Sequence, residues 1–280
     1  RPVELFSPPP IPDPVSDEVF AAMLSDFDYD RGDLNAVIEE DIDFRYWKRQ
    51  RITFDGEPGE DRIIVYLYLP HTDRSRHQTI MLWPGAATQI AESVDDLRFI
   101  LDFLLRNGRA VAMPVMKGMF ERRVSPRPDW TTHRGRNLAI EEVREFRRAI
   151  DYLETRQDIR ADVLGYYGHS WGGRVGAIVL AVEPRLKVGV LNQAGINAGD
   201  HRDINVSHFL PRVDAPMLHF SGRDDTDFRF ESSSKPFFDR LGTPPEHKKH
   251  VVADSGHFVP LPIVKGEALD WLDKYLGPVE

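Results

Sequence analysis

The sequence predicts an α/β fold with a mostly parallel, twisted sheet and helices on both faces, because short apolar runs alternate with longer amphipathic segments. One such run, residues 162–167, leads through the turn Gly168-His169-Ser170-Trp171-Gly172 into an apolar stretch of helical type, residues 174–182. Nearer the start, residues 49–54 and 63–69 flank a turn-rich segment and predict an antiparallel N-terminal hairpin. A parallel sheet covered by helices and begun by a hairpin accounts for all three observations.

The remaining elements follow the same alternation along the chain. Residues 1–15 are rich in proline and predict an extended arm, and residues 16–26 predict a short amphipathic helix. Further strands are expected at 79–83, 110–114, 187–192, 217–220 and 250–252, and helices at 94–107, 138–156, 232–241 and 263–276. We therefore expect an arm and helix in residues 1–47 that pack on one α/β domain, residues 48–280.

Composition limits the classes of partner. The net charge of −9 disfavours nucleic acid, because phosphate binding needs a basic surface. We expect no membrane span, since no run of 18 uncharged apolar residues occurs. The chain contains no cysteine, which excludes disulfides, thiolate nucleophiles and cysteine-bound metals. It begins at Arg1 rather than Met, so we expect a processed product or a segment of a longer protein, and the compartment and oligomeric state stay open.

The pattern G-x-S-x-G between a strand and a helix predicts a nucleophilic serine. Such a turn is so tight that glycines are needed two residues before and two residues after the serine. We expect Gly168 and Gly172 to fill those positions and to expose the Ser170 hydroxyl at the edge of the sheet. The start of the following helix would favour a developing anion there.

A serine hydroxyl needs an imidazole to take its proton and a carboxylate to orient that imidazole. His257 follows the last predicted strand and is the expected base. The loop after residues 217–220 carries the aspartates Asp224, Asp225 and Asp227. We favour Asp225 as the acid, with the other two as alternatives.

Two backbone N–H groups are expected to bind the oxyanion. One belongs to Trp171, the residue after the nucleophile. The other is assigned to Ala86, with Ala87 as the alternative, in the loop Pro84-Gly85-Ala86-Ala87 after a predicted strand. No metal-binding motif is evident, and neither a metal nor a cofactor is expected.

The substrate pocket is predicted from aromatic and basic residues in the loops around this edge. An apolar wall for an acyl or aryl group is predicted from four aromatic residues, together with Trp171 itself, and Arg122 is a candidate for an anionic substrate group. The aromatic candidates are Phe120, Trp130, Phe209 and Phe258. Each could instead be ordinary loop packing, and Arg122 could instead pair with Glu121.

With these motifs in place, residues 48–276 resemble the α/β-hydrolase superfamily. The closer resemblance is to bacterial dienelactone-hydrolase-like domains, some of which are fused to Ser/Thr protein kinases. It is carried by Gly108-Arg109-Ala110-Val111, by Pro114-Val115-Met116-Lys117-Gly118 with Glu121-Arg122, by Gly168-His169-Ser170-Trp171-Gly172-Gly173 and by residues 270–279. Related sequences have Gly-Arg-Tyr-Asp in the acid loop, so the resemblance implies that Asp225 is the acid and that Asp224 replaces an aromatic residue.

The predicted activity is hydrolysis of a small-molecule carboxylic ester through an acyl-enzyme, because a serine in this turn favours acyl transfer to water over chemistry that needs a carboxylate nucleophile. A serine peptidase or amidase is the alternative enzyme. A catalytically silent interaction module is the alternative from another class, since the fold alone does not fix function.

Overall fold

The computed structural model describes residues 9–91 and 93–279, with the backbone only for residues 97–101. Within these residues nine strands form one sheet in the order β1-β2-β3-β5-β4-β6-β7-β8-β9. The strands are β1 (Val37–Asp43), β2 (Trp47–Phe54), β3 (Ile63–Pro70), β4 (His77–Trp83), β5 (Ala110–Val115), β6 (Ile159–His169), β7 (Leu186–Asn192), β8 (Met217–Gly222) and β9 (Lys248–Ala253).

The sheet is antiparallel from β1 through β3 to β5 and parallel from β5 to β9. Every residue of β3, β4 and β5 is buried, as expected of strands covered on both faces. The predicted fold class, including the antiparallel N-terminal hairpin of β2 and β3, is confirmed. All six parallel strands end at one edge, which brings the loops after β4, β5, β6, β7, β8 and β9 together.

Six helices cover the sheet in the part of the chain that the structure describes. They are α1 (Asp17–Leu24), α2 (Arg98–Arg106), α3 (His133–Glu154), α4 (Trp171–Val182), α5 (Lys235–Asp239) and α6 (Leu261–Leu276). None of the described helices is both long and apolar enough to cross a bilayer. Helix α3 begins five residues before the predicted start, where the Thr132 hydroxyl accepts a hydrogen bond from the Gly135 N–H at 3.1 Å.

One predicted helix has a different form. The sequence predicts a helix over 232–241, but the structure has a π-helical turn at Phe230–Ser234 followed by the short α5. Pro236 lies in the first turn of α5, where its missing N–H costs no helical hydrogen bond. Its position explains why the α-helix starts only at Lys235 and not three residues earlier.

Strand β1 was not predicted, and it extends the sheet beyond the hairpin. All seven of its residues are exposed, so its side chains show none of the alternation by which half-buried strands are identified. Its pairing with β2 is interrupted by a register shift between Ile38 and Glu40. Because β1 belongs to the sheet, the sheet begins within residues 1–47, the segment that was expected to hold only an arm and a helix.

The N-terminal segment is held against the β8 side of the sheet. Phe20 in α1 packs edge-on against Phe209, with ring centroids 5.4 Å apart. Further upstream, Arg240 donates a hydrogen bond to the Pro12 carbonyl at 2.9 Å, and Arg212 donates one to the Val15 carbonyl at 2.7 Å. These contacts fix the path of the arm from residue 12 onward.

Two histidines on neighbouring strands form a stacked pair under α5. His219 of β8 lies opposite His250 of β9, with ring centroids 4.7 Å apart and planes 4° from parallel. The Ser221 hydroxyl lies 2.8 Å from His250 Nε2, and Phe238 of α5 stacks on the His250 ring. Burial lowers the pKa of His219 well below its ordinary value and lowers the pKa of His250 to about 4, with Asp239 opposing the shift and Lys235 adding to it.

This pair predicts an acid-sensitive fold. A histidine whose folded pKa is lowered stays neutral in the native state, whereas the unfolded chain binds a proton near pH 6.5. The contribution of the neutral pair to the free energy of unfolding is therefore fully present above pH 6.5 and is lost as the pH falls toward 4. We expect the Tm of the wild type to fall by roughly 5 °C between pH 7 and pH 5.

The matched variants are His250→Gln and His247→Gln, the second at an exposed position. Thermal unfolding followed by circular dichroism should show a shallower dependence of Tm on pH for His250→Gln and the wild-type dependence for His247→Gln. Equal slopes for the two variants would contradict the assignment of the acid sensitivity to the stacked pair.

Candidate active site

The Ser170 turn lies where β6 ends and α4 begins. Ser170 has φ 54° and ψ −111°, a left-handed conformation that is costly for a residue with a side chain. Its N–H donates to the Asn192 carbonyl on the neighbouring strand at 2.8 Å, and its own carbonyl accepts from the Arg174 N–H at 2.9 Å. The strained residue is therefore held by a strand on one side and by the first turn of a helix on the other.

The flanking glycines are required by close backbone contacts. A Cβ on Gly172 would lie 1.9 Å from the Trp83 carbonyl oxygen, and a Cβ on Gly168 would lie 2.3 Å from the Gly172 carbonyl oxygen. Neither contact can be relieved by rotating a side chain, because the obstructing atoms are backbone. The spacing of glycines around Ser170 thus follows from the approach of α4 to β4 and β6.

A chain of hydrogen bonds joins Ser170, His257 and Asp225. Ser170 Oγ lies 2.8 Å from His257 Nε2, and His257 Nδ1 lies 2.9 Å and 3.1 Å from the two carboxylate oxygens of Asp225. A proton on Nδ1 that is donated to the carboxylate leaves Nε2 as an acceptor for the serine hydroxyl. The geometry matches that required of a nucleophile, a base and an orienting acid.

The three aspartates of the acid loop have different surroundings. The Asp225 side chain is 2% exposed, and its Oδ1 also accepts hydrogen bonds from the N–H groups of Asp227 and Phe228 at 2.8 and 3.0 Å. The Asp227 carboxylate is 66% exposed and lies 3.7 Å from His257 Nδ1, beyond hydrogen-bond distance. Asp224 is exposed. Of the three predicted candidates, only Asp225 makes a hydrogen bond to the imidazole.

Backbone pairing brings the acid loop to the histidine loop. The Arg223 N–H donates to the Ala253 carbonyl, and the Asp224 N–H donates to the Ser255 carbonyl, both at 2.9 Å. Gly222 sits so close to this second loop that a Cβ would lie 1.9 Å from the Gly256 carbonyl oxygen. The register of these loops therefore determines which aspartate faces His257.

The predicted oxyanion donors lie next to the nucleophile. A Cβ on Gly85 would lie 3.1 Å from Ser170 Cβ, so the loop after β4 passes directly over the serine. This loop forms the short 3₁₀ turn Ala86–Gln89, whose first hydrogen bond is donated by Thr88. The N–H groups of Ala86 and Ala87 are not used by that turn, and the Trp171 N–H likewise precedes the first hydrogen bond of α4.

Gln193 connects three parts of the site and was not predicted. It directly follows β7, has φ 57°, and is buried. In the amide orientation that satisfies its neighbours, Nε2 donates to His169 Nδ1 at 3.1 Å and to the His257 carbonyl at 3.2 Å, while Oε1 accepts from the Val259 N–H at 3.0 Å. Its place after a strand that ends at the same edge of the sheet was the sequence signal that could have identified it.

Two predicted substrate residues lie against the Ser170 turn. Phe258 is 66% exposed, stacks on the His169 ring at 5.6 Å and contacts the His257 ring at 5.4 Å. Burial, together with the nearby His257, lowers the pKa of His169 to about 4, so this ring is neutral beside the site. Trp130 is buried and packs edge-on against Trp171. Phe120 is buried at the start of a short 3₁₀ turn.

Arg122 and Phe209 require a correction, because both are engaged elsewhere. The Arg122 guanidinium donates to both carboxylate oxygens of Glu145 at 2.7 and 2.6 Å and to the Val115 carbonyl at 3.0 Å. Its carboxylate partner is therefore neither a substrate nor Glu121. Phe209 is 0% exposed and is enclosed by Phe20 and Phe27 in the core. Neither side chain is available to a substrate.

One group of acidic and histidine side chains among the described residues is compact enough to hold a cation. The ligand atoms of Asp225, Asp227 and His257 all lie within 4.8 Å of one another. A cation on His257 Nδ1 would replace the proton that this nitrogen donates to Asp225. Metal ligation and the hydrogen-bonded arrangement described above are therefore mutually exclusive uses of this histidine.

Solved structures with similar folds are esterases and related hydrolases. A cold-adapted esterase from an Arctic intertidal metagenomic library is 20% identical, with a TM-score of 0.66, over 85% of this chain and 98% of that one. Acetyl xylan esterase 1 from Thermoanaerobacterium sp. is 15% identical, with a TM-score of 0.73, over 94% and 96%. A proposed dienelactone hydrolase from Klebsiella pneumoniae is 15% identical, with a TM-score of 0.63, over 78% and 95%.

No protein-family model matches the chain, and no curated protein matches it in sequence. At these identities the structural likeness establishes the fold and not the reaction. The chain has the α/β-hydrolase fold over most of its length.

The close contact at Gly172 yields a prediction about stability. We expect Gly172→Ala to destabilise the protein by at least about 3 kcal/mol, because the new methyl group would force α4 away from β4. Gly266→Ala is the matched control, since a Cβ on Gly266 in α6 meets nothing within 4 Å. That variant should be more stable by about 0.5–1 kcal/mol. Urea unfolding of both variants tests this, and equal stabilities would contradict it.

Proposed function

We propose that this protein is a serine hydrolase that cleaves carboxylic esters through an acyl-enzyme on Ser170. The observation that carries the proposal is the continuous chain of hydrogen bonds from Ser170 Oγ through the His257 ring to the buried Asp225 carboxylate. A hydroxyl becomes a competent nucleophile when a base accepts its proton during attack. The strained backbone of Ser170 keeps that hydroxyl at the head of α4.

In the first half of the reaction, Ser170 Oγ attacks the ester carbonyl carbon while His257 Nε2 takes the hydroxyl proton. The tetrahedral oxyanion is bound by the N–H groups of Trp171 and Ala86. Collapse of this intermediate breaks the bond to the alcohol oxygen, which receives the proton from His257 Nε2. The alcohol leaves, and Ser170 is acylated.

In the second half, water gives a proton to His257 Nε2 and attacks the acyl carbonyl. The second tetrahedral intermediate collapses, Ser170 Oγ recovers its proton, and the carboxylic acid is released. Throughout both halves Asp225 remains ionised and stabilises the imidazolium through Nδ1. Three hydrogen bonds to Oδ1, from His257 and from two backbone N–H groups, hold the carboxylate in one orientation.

The solved structures of similar fold support this reaction class, because two of the three described above are named as esterases. Ester cleavage also fits a hydroxyl nucleophile, whereas reactions on this fold that proceed through an alkyl-enzyme ester require a carboxylate at the same position. The assignment therefore has support from the chemistry of Ser170 and from the fold.

The nucleophile can be tested directly. We expect Ser170→Ala to lower kcat/KM for phenyl acetate by several orders of magnitude, on the order of 10⁴-fold or more, with an unchanged far-UV spectrum. A fluorophosphonate probe should label Ser170 in the wild type and leave the variant unlabelled. Turnover within about tenfold of the wild type would contradict the mechanism.

The acid can be assigned by three isosteric substitutions. We expect Asp225→Asn to lower kcat by on the order of 10⁴-fold with a modest change in KM, because an amide would hold the wrong tautomer of His257. Asp224→Asn and Asp227→Asn are the matched controls and should stay within about tenfold of the wild type. Steady-state kinetics of the three variants measure this directly.

The controls separate an error in the assigned residue from an error in the mechanism. A large loss in Asp224→Asn or Asp227→Asn, with Asp225→Asn active, would move the acid to that residue. Wild-type activity in all three variants would contradict the role of a carboxylate altogether.

A further inference from the structure

A cavity of about 560 Å³ opens beside the proposed catalytic residues, between the loop after β7 and the acid loop after β8. This volume lies within the range of about 300–1,000 Å³ that is typical of small-molecule sites. Its walls come from the N-terminal arm (Pro9–Ile11), α4 (Arg174), residues 196–198, residues 226–229, residues 231–233 and Pro236.

Three wall residues connect this cavity to the proposed catalytic residues. The Asp227 and Phe228 N–H groups both donate to Asp225 Oδ1, and the Phe228 ring lies 5.8 Å from the His257 ring. Arg174 is one helical turn from Ser170 and donates its N–H to the Ser170 carbonyl. The cavity therefore adjoins the side of the site where His257 and Asp225 lie.

The cavity wall carries charges of both signs. The buried Arg174 is paired with Asp200, and the remaining charged wall residues are Arg229, Asp227 and Glu231. An anionic ligand would meet two carboxylates, and a cationic ligand would meet the Arg229 guanidinium. Charges of both signs favour an uncharged ligand.

The same wall offers hydrogen-bonding groups without internal partners. Among the residues that the structure describes, the side chains of Thr226, Arg229 and Ser232 make no hydrogen bond or ion pair, and the Asn197 amide uses its oxygen for the Gly199 N–H. A purely apolar ligand would cover these groups and leave them unpaired, at a cost in free energy. A ligand with several hydroxyl groups would pair with them.

Apolar residues in the same cavity complete the pattern. Pro9, Pro10 and Ile11 of the arm, together with Ile196 and Phe228, present C–H groups and one aromatic ring. The arm is fixed just downstream by the hydrogen bond from Arg240 to the Pro12 carbonyl. A ring with hydroxyl groups at its edge and C–H groups on its faces is complementary to both kinds of wall.

We propose that this cavity is the subsite for the alcohol portion of the substrate, and that it takes an uncharged alcohol with several hydroxyl groups, such as a sugar or another polyol. The inference rests on the proposed function. The leaving alcohol takes its proton from His257 Nε2, so its oxygen must lie at that ring during the reaction. The cavity borders the residues that pack on His257, and the alcohol is therefore the portion that it receives.

Three acetate esters test the proposal: 6-O-acetylglucose, cyclohexylmethyl acetate (a ring without hydroxyl groups) and ethyl acetate. We expect the wild type to turn over 6-O-acetylglucose with a kcat/KM at least about tenfold above that for cyclohexylmethyl acetate.

The double variant Asn197→Ala, Ser232→Ala should reduce this preference by about tenfold, because it removes two hydrogen-bonding groups. Ala198→Trp should lower the ratio of kcat/KM for 6-O-acetylglucose to that for ethyl acetate by about tenfold, because the indole fills the cavity.

Ala36→Trp is the matched control, since Ala36 is exposed and precedes the edge strand β1 far along the sheet from β8. It should keep the wild-type ratios. A wild-type preference for cyclohexylmethyl acetate, or a double variant with an unchanged preference, would overturn the subsite. If the three esters are turned over with dependence on Ser170 but with similar kcat/KM values for 6-O-acetylglucose and cyclohexylmethyl acetate, the subsite alone is overturned. A lack of Ser170-dependent turnover of all three esters would overturn the proposed function as well.

Discussion

The approach of the first turn of α4 to the end of β4 is the contact on which the rest of the site depends. At Gly172 the helix backbone comes so close to the Trp83 carbonyl that no side chain fits between them. This proximity forces the chain to reverse within one residue, and Ser170 adopts a positive φ as a result. It also brings Gly85, near the start of the loop that follows β4, against Ser170. One steric constraint thus positions both Ser170 and the nearest candidate oxyanion donors.

The side chain of Trp171 is held from three directions, which helps to hold its backbone N–H. Trp83 and Trp130 pack edge-on against the indole, and the Arg127 guanidinium lies 3.8 Å from the centre of its ring. Arg127 in turn donates to the fully buried Glu142 of α3 at 2.6 Å. Burial raises the pKa of Glu142 to about 8, and the neighbouring Arg127 opposes this shift by favouring the carboxylate.

A second ion pair on α3 explains why one sequence prediction was wrong. Glu145 lies one turn beyond Glu142 on the same face of the helix and binds both Nη atoms of Arg122. The two pairs tie the loop after β5 to α3 at successive turns. Such partners are distant in sequence, and the pattern around Arg122 offered only its neighbour Glu121. Phe209 was misassigned for the same reason, because its partners Phe20 and Phe27 lie in the N-terminal segment.

What could be predicted from the sequence was local or periodic. The parallel strands are buried apolar runs, and the Ser170 turn requires glycines at fixed spacing, so both leave a clear pattern. Strand β1 leaves none, because all its residues are exposed and charged residues occupy much of its length, which also suits an unpaired edge. The cavity beside the site could not be predicted, because its walls come from four separate parts of the chain: the arm, α4, residues 196–198 and residues 226–236.

The two sides of Ser170 therefore differ in a way that bears on chemistry and specificity. On the side of the candidate oxyanion donors, backbone contacts at Gly172 and the packed indole rings leave little room for variation. On the acid side, the Asp225 carboxylate is fixed by backbone N–H groups, but the next residues of the same loop line an open cavity. Substitutions in that cavity wall can change the ligand without moving the hydrogen bonds to His257, provided that the backbone of the loop is kept. Under the proposed function, a site built in this way retains one reaction while its preference for the alcohol changes.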